Sequence, residues 1–472
     1  MSREQMIHDA AMRILQEVGV KVLNERALEI FKQNGVRVEG DVVYLTEEQV
    51  WHWVKKAPRT FTVIGRNPKY KVELGIGKTY PVPAYGCPFI ADMEGNQRPG
   101  TVEDYVKCVK LVQANPDYDI NGSIVVQPGD VPDRLAAIAM LYATMLNSDK
   151  AIMLATADKD VMESMLEALC EMFGGKEELI RQPRAIALIN TNSPLSLEGR
   201  MVDNLMLCAE YGQPAIVSPA AMLGATSPLS MAGTLASGTA EDLTGICLAQ
   251  MIRPGTPVVF GIQSTAADMV GLTFACAAPE GCQMQRFAED MGKFYGLPSR
   301  GGGAQTDAPR MNQQSGYESM MTYYSAYSHG VNLVFHGCGL IDSGNATCFE
   351  KMITDFEITR MVKAALTPFE ISEETLCFDD IKEQAHSGSF VTCDYTLDNF
   401  MDLLYMPHAG GRGPRAQSPT YYEDSIAAEM ERLLDEFETL RPETDDEMKQ
   451  RIRNAFMKVG MPADILERIE NL

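Results

Sequence analysis

The sequence lacks any run of about 18 apolar residues, which leaves no candidate for a membrane-spanning helix. It has no CxxC pair. Its eleven cysteines are scattered along 472 residues, which argues against a disulfide scaffold and for reduced thiols. Positive charge is scarce: 41 Lys and Arg stand against 64 Asp and Glu, a net charge of −23. That balance argues against a nucleic-acid binder, which needs cations for the phosphates. Solubility is the simpler use of the acidic surface, and a cationic substrate the second. Low-complexity linkers are absent too, and no GxGxxG follows an early strand.

What remains is an ordinary globular composition, 45% hydrophobic and 22% charged, with length for one large domain or two. The 29 methionines read as fillers of irregular core gaps, not as a metal or cofactor box. The opening "MSREQMIHDAAMRILQEVG" reads as an amphipathic helix without the apolar block of a signal peptide. The expectation is a cytoplasmic protein.

Helices are expected over 3–18, 25–35 and 45–58, the third with Thr46 as N-cap and Pro58 beyond its end. The alternation in "RTFTVIGRNPKYKVELGIGKTYPV" predicts short antiparallel strands. One pattern then recurs: an apolar run ends in small or polar residues, and a helical stretch follows. Strands are expected at 83–91, 119–128, 150–157, 184–194, 214–222, 256–265, 297–305 and 331–340. Helical stretches fall at 102–114, 132–147, 160–173, 198–211, 238–252, 282–295, 315–329 and 348–364. Eight strand–helix units predict a (β/α)8 TIM barrel over 81–365. An N-terminal helical and β preamble over 1–80 precedes it, and a mainly helical extension over 366–472 follows. An open doubly wound sheet is the alternative.

Active sites of such barrels lie at the C-terminal ends of the strands. Those ends supply Tyr85, Phe89, Gln127, Asn190, Asn192, Ser218, Gln263, Ser264, Arg300, Gln305, Asp307, His336 and Asp342. Amides and hydroxyls dominate. There is no acid pair at one strand end, no strand-borne lysine for a Schiff base and no Ser–His–Asp order. Metal ligation is weak. Cys276 and Cys282 have no partnering histidine, and His336 and Cys338 would need a third ligand such as Cys87. Gly301, Gly302 and Gly303, with Gly337 and Gly339 next door, suit either a phosphate cup or the close approach of a large flat ligand. His336 is either a satisfied core histidine or, beside glycines at a strand end, a site residue. Tyr85, Phe89, Phe260, Phe335 and Phe390 are core candidates singly. Together they are a candidate cage for a quaternary ammonium group.

Several segments resemble the trimethylamine methyltransferase family of corrinoid-dependent methyltransferases. These are "IHDAAMRILQEVGVKV", "APRTFTVIGRNP", "AYGCPFIADMEGNQRPGTVEDYVKCVKL" and "HSGSFVTCDYTLDNF" at 386–400. The likeness runs through nearly the whole chain. It implies a barrel that moves a methyl group from an amine to the cobalt of a separate corrinoid protein. Family members that use trimethylamine carry pyrrolysine near the end of the last strand; here Ile341, Asp342 and Ser343 stand in that region. Members without pyrrolysine act on quaternary amines such as glycine betaine, proline betaine or carnitine. One departure is Tyr395, where the family has a histidine before Thr-Leu.

The resemblance agrees with a rim poor in acids and bases. A quaternary ammonium methyl leaves behind a neutral tertiary amine, so positioning and desolvation are the enzyme's tasks. His336, Gln305 and Asp307 are the expected catalytic wall. Tyr85, Phe89, Gln127, Asn190, Gln263, Arg300, Phe335 and Phe390 are the expected substrate contacts, with Arg300 or an amide on a carboxylate. Gly301, Gly302, Gly303, Gly337 and Gly339 are the expected approach for the partner's corrinoid. No metal and no tightly bound cofactor is expected in this chain, and a homodimer is the default assembly. The rival classes are a lyase or aldolase acting on a phosphorylated substrate, and a betaine-binding protein without catalysis.

Overall fold

The computed structural model describes residues 1–472 except 76, 387 and 415–420. Eight parallel strands form the central sheet: β1 (Tyr80–Pro81), β2 (Ile120–Gly122), β3 (Ala151–Leu154), β4 (Ala185–Asn190), β5 (Ala215–Ser218), β6 (Val258–Gly261), β7 (Ser299–Gly302) and β8 (Leu333–Phe335). They pair in chain order from β2 to β8, and β8 pairs with β1 through Leu333↔Tyr80 and Val334↔Pro81. The ring closes between the flanks of β1 and β2. There the Ser123 hydroxyl donates to the Ala84 carbonyl at 2.7 Å, and the Gly86 N–H donates to the Ile124 carbonyl at 2.9 Å. This is the expected (β/α)8 barrel.

A helix follows each strand: α1 (Val102–Ala114), α2 (Asp133–Asn147), α3 (Lys159–Phe173), α4 (Gly199–Glu210), α5 (Met231–Ile252), α6 (Pro279–Tyr295), α7 (Gln313–His329) and α8 (Phe349–Leu366). Local chemistry sets their ends. Thr101 and Asp104 form a capping box at the start of α1, and Asn312 and Ser315 do so for α7. Pro279 opens α6, and left-handed glycines, Gly296 and Gly330, close α6 and α7.

Two expectations need correction. The first barrel strand is Tyr80–Pro81, not 83–91. Pro83, Gly86 and Pro88 interrupt that run, and proline cannot donate to a ladder. Phe89–Ala91 instead joins a four-stranded surface sheet at the mouth with Gln97–Pro99, Leu340–Ile341 and Ala346–Thr347. Helix α5 begins at Met231, not 238. Its first turns hold Gly, Ala, Ser and Thr, and it is buried nearly all round. The helices Arg3–Arg13, Glu25–Gln33 and Glu47–Val54 cover its outer side, so no amphipathic period marks it.

The barrel interior is apolar at its N-terminal end. Tyr80, Ile120, Ala151, Ile186, Ile216, Val259 and Leu333 pack there with Val63, Val72 and Leu74. The last three come from a hairpin, Phe61–Ile64 paired with Lys71–Leu74, that plugs this end. Each such side chain contributes about 1.5–3 kcal/mol on burial, enough to hold the plug. Helices Tyr422–Leu440, Asp446–Lys458 and Ala463–Glu470 pack on the outside of α8, α1, α2 and α3.

Candidate active site

The opposite end of the barrel is polar. On β5, Ile216 faces inward, and Ser218, two residues on, lies on the same face. Register then brings β7 alongside: Arg300 pairs with Leu333 on β8 and with Gly261 on β6. Arg300 is 1% exposed. Its Nη1 donates to the Ser218 hydroxyl at 3.2 Å, and its guanidinium lies 4.6 Å from the centre of the Phe335 ring. Its Nε has no partner, and among the described residues no carboxylate pairs with it. Burial lowers its pKa, yet it stays a cation at neutral pH.

His336 follows β8 with a left-handed backbone, φ +56°. Its Nδ1 accepts the Tyr85 N–H at 3.3 Å, which leaves Nε2 to carry the proton. Burial first, and the Arg300 charge second, push its pKa down to about 3. The ring is therefore neutral at pH 7. The Tyr85 hydroxyl is fixed by Thr156, whose N–H donates to it at 3.1 Å. Its ring centre is 6.4 Å from that of Phe335, and Phe335 is 6.3 Å from His336. Tyr85 and His336 are partly accessible, so the layer nearest the mouth is aromatic and the buried guanidinium lies beyond it.

Buried amides lie at the same end of the barrel. Gln263 is 6% exposed, and neither its Nε2 nor its Oε1 has a partner; the Oε1 of Gln305 has none either. Buried polar atoms are nearly always paired, so these amides, in the loops after β6 and β7, keep hydrogen-bonding capacity that the chain does not use. Asn190 lies alongside Ser218, on the next strand of the ring.

Other expected residues have different duties. The Asp307 carboxylate accepts the N–H groups of Cys276 at 2.9 Å and Ala277 at 3.2 Å, and the Ser343 hydroxyl at 2.7 Å. It clamps three loops together. Gln127 is exposed. Phe89 is exposed on the surface sheet, and Phe390 is half-exposed in the C-terminal extension. Phe260 faces α6, 5.8 Å from the Tyr295 ring. Of the five candidate cage aromatics, only Tyr85 and Phe335 meet.

The glycines are filled in by the chain itself. A Cβ at Gly303 would sit 2.6 Å from the Phe335 carbonyl oxygen, and one at Gly337 would sit 3.0 Å from that of Val82. Gly301, Gly302 and Gly339 are buried too, with the Gly302 N–H donating to Gln285. These glycines permit close packing of the last strands. All five are buried, so they offer no open backbone to the partner's corrinoid or to a phosphate.

His336 and Cys338 do not share a face, because the chain leaves the extended conformation at His336; Cys338 points into the core between barrel and helices. Among the described residues, no three His, Cys, Asp or Glu side chains cluster to hold a metal. The buried Lys150 lies at the N-terminal end of β3, bound to the carbonyls of Val112 and Asn115, at the wrong end for a Schiff base.

Sequence reasoning missed the supports behind the strands. Glu241 on α5 accepts the hydroxyls of Thr191 and Ser193 and the Leu195 N–H, bracing the loop after β4. Asp242 accepts the Gly261 N–H at 2.9 Å. On α8, Lys351 and Asp355 form an ion pair with no exposure. Asp355 accepts the Gly339 N–H at 2.8 Å, and Lys351 reaches the Ala304 carbonyl at 3.5 Å. The pair thus joins the loops after β7 and β8. The available signal was acidic and basic residues at helical spacing inside apolar helices.

The sequence matches the family described as trimethylamine methyltransferase (MTTB) over residues 1–458. It is 38% identical over 408 residues to a glycine betaine methyltransferase of Desulfitobacterium hafniense (strain Y51), covering 86% of this chain and 85% of that protein. It is 28% identical over 476 residues to a proline betaine:corrinoid methyltransferase of Eubacterium limosum, covering 95% and 91%. It is 26% identical over 412 residues to an L-carnitine:corrinoid methyltransferase of the same organism, covering 84% of each. The chain belongs to the trimethylamine methyltransferase (MTTB) family.

Proposed function

We propose that this chain is a betaine:corrinoid protein methyltransferase with glycine betaine as its substrate. The observation that carries the substrate class is Arg300, a buried cation with no anionic partner. An unpaired buried charge costs several kcal/mol, which a bound carboxylate offsets. Trimethylamine and choline bring no carboxylate, and choline adds a second cation.

In this reading the substrate carboxylate sits on Arg300 and accepts from Gln263. The ammonium head then lies outward, against the ring faces of Tyr85 and Phe335, which attract quaternary cations. Neutral His336 presents its Nε2–H to the chamber and adds no competing charge. One methyl group faces the mouth.

The partner protein's corrinoid supplies the methyl-accepting Co(I) nucleophile. The methyl carbon–nitrogen bond breaks as the new bond to the acceptor forms. The electron pair stays on nitrogen, and dimethylglycine leaves as a neutral amine. No proton moves, which matches a site with no acid–base pair. What this chain supplies is orientation, exclusion of water and an in-line approach.

The test measures dimethylglycine released from glycine betaine in the presence of a Co(I) corrinoid protein. Arg300→Ala should lower kcat/KM by about 10²–10³-fold, as expected for a charge-assisted pair worth about 3–4 kcal/mol. Unchanged turnover in that variant, or faster demethylation of trimethylamine than of glycine betaine by the wild type, would overturn the reading.

A further inference from the structure

The C-terminal extension contains a segment unlike the rest of the molecule. Residues 367–406 leave α8 at its last turn. The chain returns to α8 where the Glu357 carboxylate accepts the Tyr405 hydroxyl and the N–H groups of His408 and Ala409. Between these points Cys393 is the one buried residue among those described. Among the described residues, thirteen of the 29 exposed large hydrophobic side chains lie in this segment, with Phe369 at 84% and Ile371 at 74% exposure. Its longer helix, Asp394–Leu403, places Leu397, Phe400 and Met401 on one stripe facing water. Apolar surface on this scale marks an interaction site.

Charge points to the occupant. Residues 367–406 hold nine acidic side chains and one lysine. Residues 55–78 hold seven lysines and arginines against one glutamate, a basic block in a chain of net charge −23. That block includes the hairpin plugging the N-terminal end of the barrel, and Lys55, Arg59, Lys69 and Lys71 are exposed on it. The acidic segment starts at the same end: Leu366 borders a recess lined by Gly77, Lys78, Thr79 and Tyr80.

We propose that residues 367–406 are an arm that docks on a second copy of this chain, over the basic hairpin of that copy's barrel. The arm leaves α8 at the end of the molecule that carries the hairpin, so a two-fold axis near that end lets each arm reach the other copy's hairpin in one self-complementary interface. A stable interface uses about 20–30 residues a side, which the arm and hairpin together supply. The mouth of each barrel stays open to its corrinoid partner.

Sedimentation equilibrium on the full chain at micromolar concentration tests this. The wild type should be a dimer or a multiple of one, weakening in high salt as the charges are screened. Leu397→Asp/Phe400→Asp/Met401→Asp should be monomeric with an unchanged circular dichroism spectrum, because these side chains already stand in water in the single chain. Lys69→Glu/Lys71→Glu should weaken self-association by at least about tenfold, and adding Asp398→Lys/Asp402→Lys should restore it. A monomeric wild type overturns the proposal. So does an arm variant that keeps the wild-type mass. An arm variant that stays oligomeric but loses the corrinoid protein assigns the arm to that partner and also overturns it.

Discussion

The two ends of the barrel each bury a cation, and they treat it differently. At the N-terminal end, Lys150 donates to the carbonyls of Val112 at 2.7 Å and Asn115 at 2.6 Å, with its ammonium 5.2 Å from the centre of the Tyr70 ring. Its hydrogen bonds are spent on ending α1. Toward the mouth, Arg300 has one hydroxyl and one aromatic face, and its Nε is unpaired. Behind the mouth, Lys351 has the full counter-charge of Asp355. Lys150 and Lys351 are satisfied within the chain, and Arg300 is not. Burial without a partner, more than burial alone, is what supports assigning Arg300 to a substrate.

Removing one member of each set sharpens the contrast. Lys351→Met leaves Asp355 buried and alone, beneath the loops after β7 and β8. Unfolding by urea should show a loss of about 3–5 kcal/mol. Lys351→Met/Asp355→Leu should recover most of it, because no uncompensated charge remains. A Lys351→Met variant as stable as the wild type would mean that this pair does not behave as a structural one.

How much of this was legible in the sequence depended on the periodicity each element carries. Strands β3 to β6 and β8 announce themselves as apolar runs ending in small or polar residues, β7 shows only the small residues of Ser299–Gly302, and most of the helices between them show caps or amphipathic spacing. β1 was misplaced because only two residues pair before prolines intervene. α5 was cut short because it is covered on both sides and has no polar face. Arg300, Tyr85 and His336 were readable as strand-end residues in a barrel. Their relationship was not: the tilted and edge-on ring contacts, the unpaired guanidinium and the clamping role of Asp307 arise from contacts between segments far apart in sequence. Glu241, Asp242, Lys351 and Asp355 sit on helices behind the strands, where only packing reveals them.

His336 gives the next largest effect. Its folded pKa is about 3, below the 6.5 of an ordinary histidine, because burial and Arg300 disfavour the charged ring. The sign follows from proton uptake. Between these values the unfolded chain binds a proton that the folded chain refuses. The contribution is complete above pH 6.5 and is lost progressively as pH falls toward 3. Between pH 7 and 4.5 the wild type should lose about 2–3 kcal/mol through this group. His336→Gln, which keeps a hydrogen-bonding side chain without the titration, should flatten that part of the urea-midpoint profile. An identical profile would place the proton uptake elsewhere.

The smallest effect is the most discriminating, because its sign opposes that of Lys351→Met. Arg300→Met removes a buried charge that has no counter-ion, replaces it with a side chain of similar reach, and keeps contact with Phe335. The ligand-free protein should therefore melt at the same temperature or higher, with a gain of about 1 kcal/mol. Glycine betaine should then reverse the order. At about 100 times its dissociation constant it stabilises a protein that binds it by about 2.7 kcal/mol, so the wild type should overtake the variant, whose melting point should not move. If Arg300 were a structural cation like Lys351, Arg300→Met would lower the melting point without ligand, and glycine betaine would not change the ranking. The crossing of two melting curves, more than the size of either shift, separates a charge kept for the fold from one kept for a substrate.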